Sequence, residues 1–359
     1  MDPATLIPTP DTIPVAWGWF QFLLMLTFVL HLLLMNAMLG GALIAFATHI
    51  AKPDGSPAIC RQMAHKLTYL IAFAVNFGVA PLLFLQVLYG HFFYSSSILM
   101  ARHWLTIIAL LIFAYTSAYI YHLKYKALTK GRVRVLGMVV APLMVIGFLF
   151  SNNMTMMIHP ETWQQYFSQP NGTMLNLDDV TLIPRYLHFV VASVAIGGLF
   201  IALLNHFSRA ANNPGAERRI ATGLNWFCFA TMVQIGAGAL FLFSLPKDIR
   251  HLFLGGETLH TALLLTGTVV AIAAIILGFR RKIWPTIISA VSVVVIMTLI
   301  RDLVRRAYLA PFFKPADLPV SAQTQYGLLV LFFILLVITV GIVLYMLRLA
   351  ATATEEAQS

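Results

Sequence analysis

The sequence predicts an all-α integral membrane protein, a bundle of about nine transmembrane helices with its N-terminus outside and its C-terminus cytoplasmic. Three observations predict it. Sixty per cent of the 359 residues are hydrophobic and only 10% are charged, against roughly 25% charged in a soluble domain. Apolar runs recur along the whole chain, each near the roughly 20 residues that cross about 30 Å of hydrocarbon. The Lys and Arg residues fall mainly between alternate runs, the pattern that marks the cytoplasmic side.

The first run, 17–48, follows a Pro-rich segment from Met1 to Ile13 that carries no Lys or Arg and no cleavable leader pattern. Further spans read at 67–91, 103–123, 133–152, 183–207, 219–245, 257–279, 283–305 and 324–347. With the N-terminus outside, the inner segments hold Lys52, Arg61 and Lys66, then Lys124, Lys126, Lys130, Arg132 and Arg134. Arg209, Arg218 and Arg219, then Arg280, Arg281 and Lys282, and finally Arg348 follow on the same side. The outer side and outer span ends hold Arg102, Arg185, Lys247, Arg250, Arg301, Arg305, Arg306 and Lys314. The net charge of +10 thus orients the chain in a lipid bilayer and calls for no nucleic acid.

One transmembrane domain, 1–349, with a short cytoplasmic tail, 350–359, accounts for the organisation. The longest connection, Ser151 to Leu182, is aromatic (Trp163, Tyr166, Phe167) and is expected to fold over the outer mouth of the bundle. No internal repeat supports a transporter built from two inverted halves. Cys60 and Cys228 make no disulfide framework, and no Cys-x-x-Cys-His is present for covalent haem.

Ionisable residues inside a membrane span point to function. The first six spans contain no acidic residue, Glu257 opens the seventh and Asp302 lies near the outer end of the eighth. Histidines are plentiful: His31, His188 and His260 lie within spans, while His91, His103, His159 and His251 gather at the outer face. Neutral imidazole is an ordinary axial ligand of haem iron. His188 lies about four residues after Pro184 and His260 three after Glu257, which predicts a level pair roughly 5–7 Å below the outer helix ends. Small residues after each, among them Ala192, Ser193 and Gly267, leave room for a macrocycle or for ordinary helix packing. Arg301 is the deepest of an Arg301, Asp302, Arg305, Arg306 cluster. It reads as a clamp for haem propionates or as an interfacial anchor. His91 and His103 flank a short outer turn and offer a further haem position.

At these residues the chain resembles the large subunit of cytochrome bd quinol oxidases. Phe20-Gln21-Phe22 through His31 to Leu39-Gly40 is similar to that family's opening helix, and Asn76-Phe77-Gly78-Val79-Ala80 to Tyr89-Gly90-His91 to its second. Met157-Ile158-His159-Pro160 to Arg185-Tyr186-Leu187-His188-Phe189 resembles its fourth loop and fifth helix. The resemblance implies a membrane haem bundle with His31 on the high-spin haem ligand and His188 on the low-spin haem b ligand. The departures are specific. The family's paired glutamates are missing from Trp104 to Tyr121, and its haem-ligating glutamate on the eighth span is replaced near Arg301. The quinol loop shrinks to about Pro246–Gly256, and His260 stands for the second low-spin ligand, a methionine in the family.

The function expected is a haem-b subunit of a respiratory complex in a bacterial or archaeal inner membrane, carrying one to three haems. It would exchange electrons between the quinone pool and an outer-face partner such as a multihaem cytochrome c. His159, Glu161, Trp163, Arg185 and Asp179 are the candidate quinone residues, where imidazole or carboxylate takes the quinol proton. The alternatives are a bd-type oxidase reducing oxygen, and a non-redox anchor or transporter whose histidines bind a metal or protons.

Overall fold

The computed structural model describes residues 2–52, 57–129, 131–168, 170–210 and 215–356. Lys130, the side chain of Arg209 and the last three residues of the tail lie outside what is described. The fold is an all-α membrane bundle, and among the described residues eight helices are long and apolar enough to cross a membrane. They are α1 (Trp17–Ala51), α2 (Ala58–Leu99), α3 (Ala101–Leu123), α4 (Arg132–Met157), α5 (Leu182–Ala210), α6 (Ala216–Ser244), α8 (Thr258–Phe279) and α9 (Ile283–Leu309). A short α7 (Lys247–His251) precedes α8, and α10 (Tyr326–Glu356), expected from the sequence as the ninth span, carries a shorter apolar stretch, Tyr326–Ile342, among the described residues.

Successive spans run in opposite directions, which gives the bundle two faces. The face bearing 124–129 and 280–282 is the basic face. The other, bearing residues 2–16, 158–168, 170–181, 245–257 and 310–325, is the cap face.

The largest departure from the sequence reading is α2. Phe92 to Leu99 contains neither Gly nor Pro, so nothing stops the helix at His91, and it runs on to a turn at Met100. The chain bends within α2 at Tyr89 (φ −135°, ψ 27°), beyond Pro81. The turn is sealed by the long connection: Arg102 N–H donates to the Gly172 carbonyl (2.9 Å) and Met174 N–H to that of Leu99 (3.1 Å). Gly172 has φ +68°, a conformation L side chains rarely adopt.

The rest of that connection lies on the cap face. Pro160–Ser168 forms a 3₁₀ segment against α2 and α4, and Trp163 is 3% exposed with its indole N–H on the Met156 carbonyl (2.9 Å). Residues 2–16 are laced to the 310–325 segment. Ile13 N–H donates to Pro319 (2.8 Å), and its carbonyl accepts from Ser321 (2.9 Å).

Helix contacts rely on small residues. On α5, Gly197 meets the backbone of α1 at Gly40, and Gly198 meets the backbone of α6 at Gly223. Small residues permit such backbone approach in membranes, where lipid is as apolar as Leu and gives no hydrophobic drive.

Close packing is confined to three regions. One joins α1 to α4 in the basic-face half, another fills the cap, and a third joins α5, α6, α8 and α9 in the basic-face half. Between them lies a loose belt. From Met25 to Met35 on α1, Ile183 to Ala192 on α5, Met232 to Ser244 on α6 and Thr258 to Thr266 on α8, no side chain is fully buried on any face of the helix. Even the inward-facing residues of these stretches are not closed over.

Candidate functional site

The histidines and arginines of the spans stand in this belt. His31, on α1, lies against α2 at Gly78, where a Cβ would come within 2.9 Å of its ring. Its Nδ1 bonds the Ala74 carbonyl (3.0 Å). The carbonyl can only accept, so Nδ1 carries the proton and Nε2 keeps its lone pair. Metal-binding histidines are oriented in this way. The carbonyl at that position has no sequence signature, because any residue type supplies one.

His188, on α5, lies against α6 at Gly238, where a Cβ would sit 3.2 Å from its ring. Its Nδ1 is buried and has no hydrogen-bond partner. One turn earlier on α6, the Gln234 side-chain oxygen is buried and equally unpartnered. Gln234 escaped the sequence reading, since one amide in an apolar span carries no spacing pattern.

His260 has an unpartnered Nδ1 as well, and its ring stands 5.0 Å from Phe253. The structure moves the helix starts from which the depths of His260 and His188 are counted. α5 begins at Leu182 and α8 at Thr258, so His188 enters about 9 Å along its helix and His260 only about 3 Å. α5 packs on α6 and α6 on α8, with no comparable contact between α5 and α8 among the described residues. The helix start at Leu182 and the extended Glu257 (φ −139°, ψ 126°) moved the two origins in opposite senses.

His91 and His103 are not paired across the turn. His91 is eight residues, about 12 Å, before the end of α2. Its ring is enclosed by Phe92 (4.4 Å) and Phe313 (4.5 Å), which closes the space a macrocycle would need there. His103 sits at the start of α3 and spends Nε2 on the Thr173 carbonyl (3.2 Å).

The arginines are better placed than sequence alone indicated. Asp302, 5% exposed, holds Arg305 and also Arg306 (2.8 Å). Arg305 further lies 4.3 Å from the Tyr89 ring. Arg301 has no carboxylate of its own among the described residues. Its guanidinium lies over Phe28 (4.4 Å), within electrostatic reach of His31, Arg305, Arg185 and Asp302, the last already shared between Arg305 and Arg306. Arg185 lies over Phe241 (4.9 Å), the ring that also neighbours His188 (6.3 Å), and its Nε is unpartnered. Thus α1, α5, α6 and α9 gather His31, Arg301, Arg185 and His188 around one region with surplus positive charge.

No family model matches this sequence, and no curated protein matches it. The site therefore rests on its own geometry.

Four of the five candidate quinone residues come together on the cap side of this region. His159 Nδ1–H donates to Glu161 (2.5 Å), and His159 Nε2 faces Asp179 at 3.7 Å. Asp179 accepts from Thr181 N–H (2.8 Å), and the Thr181 hydroxyl lies 3.4 Å from Arg185. The His159 ring packs edge-on against Tyr308 (5.0 Å), which itself neighbours Asp179, Thr181 and Arg185. Burial pushes the Glu161 carboxyl up, but the hydrogen bond from His159, a backbone hydrogen bond and the nearby imidazole charge together hold it below the usual carboxylate range. Trp163 is the exception: its indole is turned inward to the Met156 carbonyl and packs near Phe92 (6.2 Å), a role in holding the loop. Tyr308 was not singled out by sequence, because it reads as one more interfacial aromatic.

Proposed function

We propose that this multi-pass membrane protein is a haem-b subunit of a respiratory electron-transfer complex in a bacterial or archaeal inner membrane. It exchanges electrons between the quinone pool and a redox partner at the cap face, which is the outer face in this reading. A multihaem cytochrome c is the class of partner it suits. The observation that carries the proposal is the loose belt, lined by histidines and surplus arginine while both ends of the bundle are close-packed.

The residues fit the group. His31 presents Nε2 from a ring fixed by the Ala74 carbonyl, and His188 brings a buried ring nitrogen that lacks a partner. Arg301 and Arg185 supply the charge that propionates require. A bound b-type haem would supply one-electron chemistry; His31 and His188 would hold it, and Arg301 and Arg185 would balance its carboxylates. His260 remains a candidate for a separate position. The carboxylate-free α3 supplies no protons for reducing oxygen, so a carrier is favoured over an oxidase.

Purified chain should give a b-type pyridine haemochrome, quantified as haem per chain. His31→Ala and His188→Ala should each lose a distinct part of the signal, and Arg301→Met should weaken haem retention. A haem-free wild-type chain, or variants with unchanged spectra, would overturn the reading.

A further inference from the structure

Two acceptors face each other at the cap. In the neutral ring that donates Nδ1–H to Glu161, Nε2 presents a lone pair, and what it presents it to is the Asp179 carboxylate, at 3.7 Å. Both His159 Nε2 and Asp179 Oδ2 are buried without hydrogen-bond partners, as are the Tyr308 hydroxyl and Arg185 Nε nearby. An acceptor opposite an acceptor is unfavourable until a proton enters between them, and burial strengthens that preference. Glu161, by contrast, has a side chain 48% exposed. The groups are therefore arranged in order, from the arginine-lined belt through Tyr308 and Asp179 to His159, then to Glu161 and solvent.

We propose that His159 is a two-sided proton relay serving a hydroxylated aromatic substrate of the quinol class, bound between Tyr308 and Arg185. The inference rests on the quinone part of the function proposed above and assigns its residues an order. The step is acid–base only. The substrate O–H bond breaks and an N–H bond forms at His159 Nε2, with Asp179 stabilising the imidazolium. The Nδ1–H bond then breaks as the proton passes to Glu161 and on to water. The bonding pair of the broken O–H stays on the substrate oxygen, whose negative charge Arg185 balances. A histidine does this without turning, because its two nitrogens exchange roles. The charged and titratable groups facing His159 are Glu161 on its own segment, Asp179 from the connection before α5 and Tyr308 from α9, with Arg185 of α5 behind Tyr308.

The test uses the full chain in lipid nanodiscs with 2-hydroxy-1,4-naphthoquinone, an acidic probe whose anion resembles a quinolate. Binding is titrated at a series of pH values and needs no haem. Wild-type affinity should fall about tenfold per pH unit across the alkaline limb of one linked proton. His159→Gln should bind with that dependence abolished, and Tyr308→Phe should weaken binding. In turnover of the haem-loaded chain with a short-chain quinol as donor and ferricyanide as electron acceptor, Glu161→Gln should lower kcat about 100-fold with KM unchanged; Glu161 is half exposed, so that variant should fold. A pH dependence shared by wild type and His159→Gln, an unaltered kcat in Glu161→Gln, or no probe binding by wild type would each overturn the relay. Haem content of the same samples reports separately: a haem-loaded chain that fails these tests loses the relay alone.

Discussion

Alanine at Gly198 or Gly223 should loosen the α5–α6 crossing by an amount the geometry sets. A Cβ at Gly198 would lie 2.7 Å from the Gly223 carbonyl oxygen, 2.7 Å from Phe227 N and 2.8 Å from Trp226 Cβ. A Cβ at Gly223 would lie 2.6 Å from the Gly198 carbonyl oxygen and 2.7 Å from Ala202 N. Most of these neighbours are backbone, so no side chain can swing away, and the helices must separate by roughly half an ångström or more. Overpacking of this kind costs about 1–3 kcal/mol. Alanine also recovers about 1 kcal/mol of helix propensity, which leaves a net loss of about 0–2 kcal/mol for each variant. Gly236→Ala on the same helix is the control, because its Cβ would meet nothing within 4 Å; it should be neutral or mildly stabilising. The two clashes occur at one crossing, so the helix shift that relieves one relieves much of the other. The double variant should lose clearly less than the sum of the singles. Unfolding in mixed detergent and SDS, followed by circular dichroism, measures all four chains. Single variants as stable as Gly236→Ala, or a strictly additive double, would refute the close crossing.

Asp302→Asn leaves Arg305 and Arg306 without their shared carboxylate. Breaking a buried pair costs about 3–5 kcal/mol, so folded yield in detergent should collapse, and an Asp302→Asn chain as stable as wild type would contradict the pairing. Glu161 has a folded-state pKa below its ordinary value of 4.5, so the stability it adds is present above that value and is lost as pH falls through the lowered one. The stability difference between wild type and Glu161→Gln should therefore hold at neutral pH and disappear in strong acid; a difference that instead grows as pH falls would show the sign to be wrong.

The bundle was legible because each span is long, apolar and bounded by charge, and those signals are local. Its boundaries were less so. The second apolar run ends near His91 in the sequence, whereas the helix turns at Met100, a turn sealed by Gly172 and Met174, more than 70 residues away in sequence. His31, Arg301, Arg185 and the His159 group could be found as ionisable residues in or beside apolar spans. Their neighbours could not. Ala74 contributes a backbone carbonyl and Gly78 and Gly238 contribute missing side chains, none of which depends on a recognisable residue pattern. The depths of His188 and His260 were counted from assumed helix ends, and an error of a few residues moves a side chain by several ångströms.

The length of α2 also determines how the protein sits in lipid. Forty-two residues make a helix of about 63 Å, twice the hydrocarbon thickness of about 30 Å. Tilting and the bend at Tyr89 shorten its projection but cannot halve it, so part of α2 must leave the acyl chains. Because Trp163 and Phe313 pack on α2 around Tyr89 to Phe92 and Met174 is bonded to Leu99 at its end, the cap-side end of α2 is a braced turret rather than a loose helix tip. A soluble protein approaching that turret would be held clear of the lipid headgroups, free to be selected by shape and charge without first displacing the membrane's own surface.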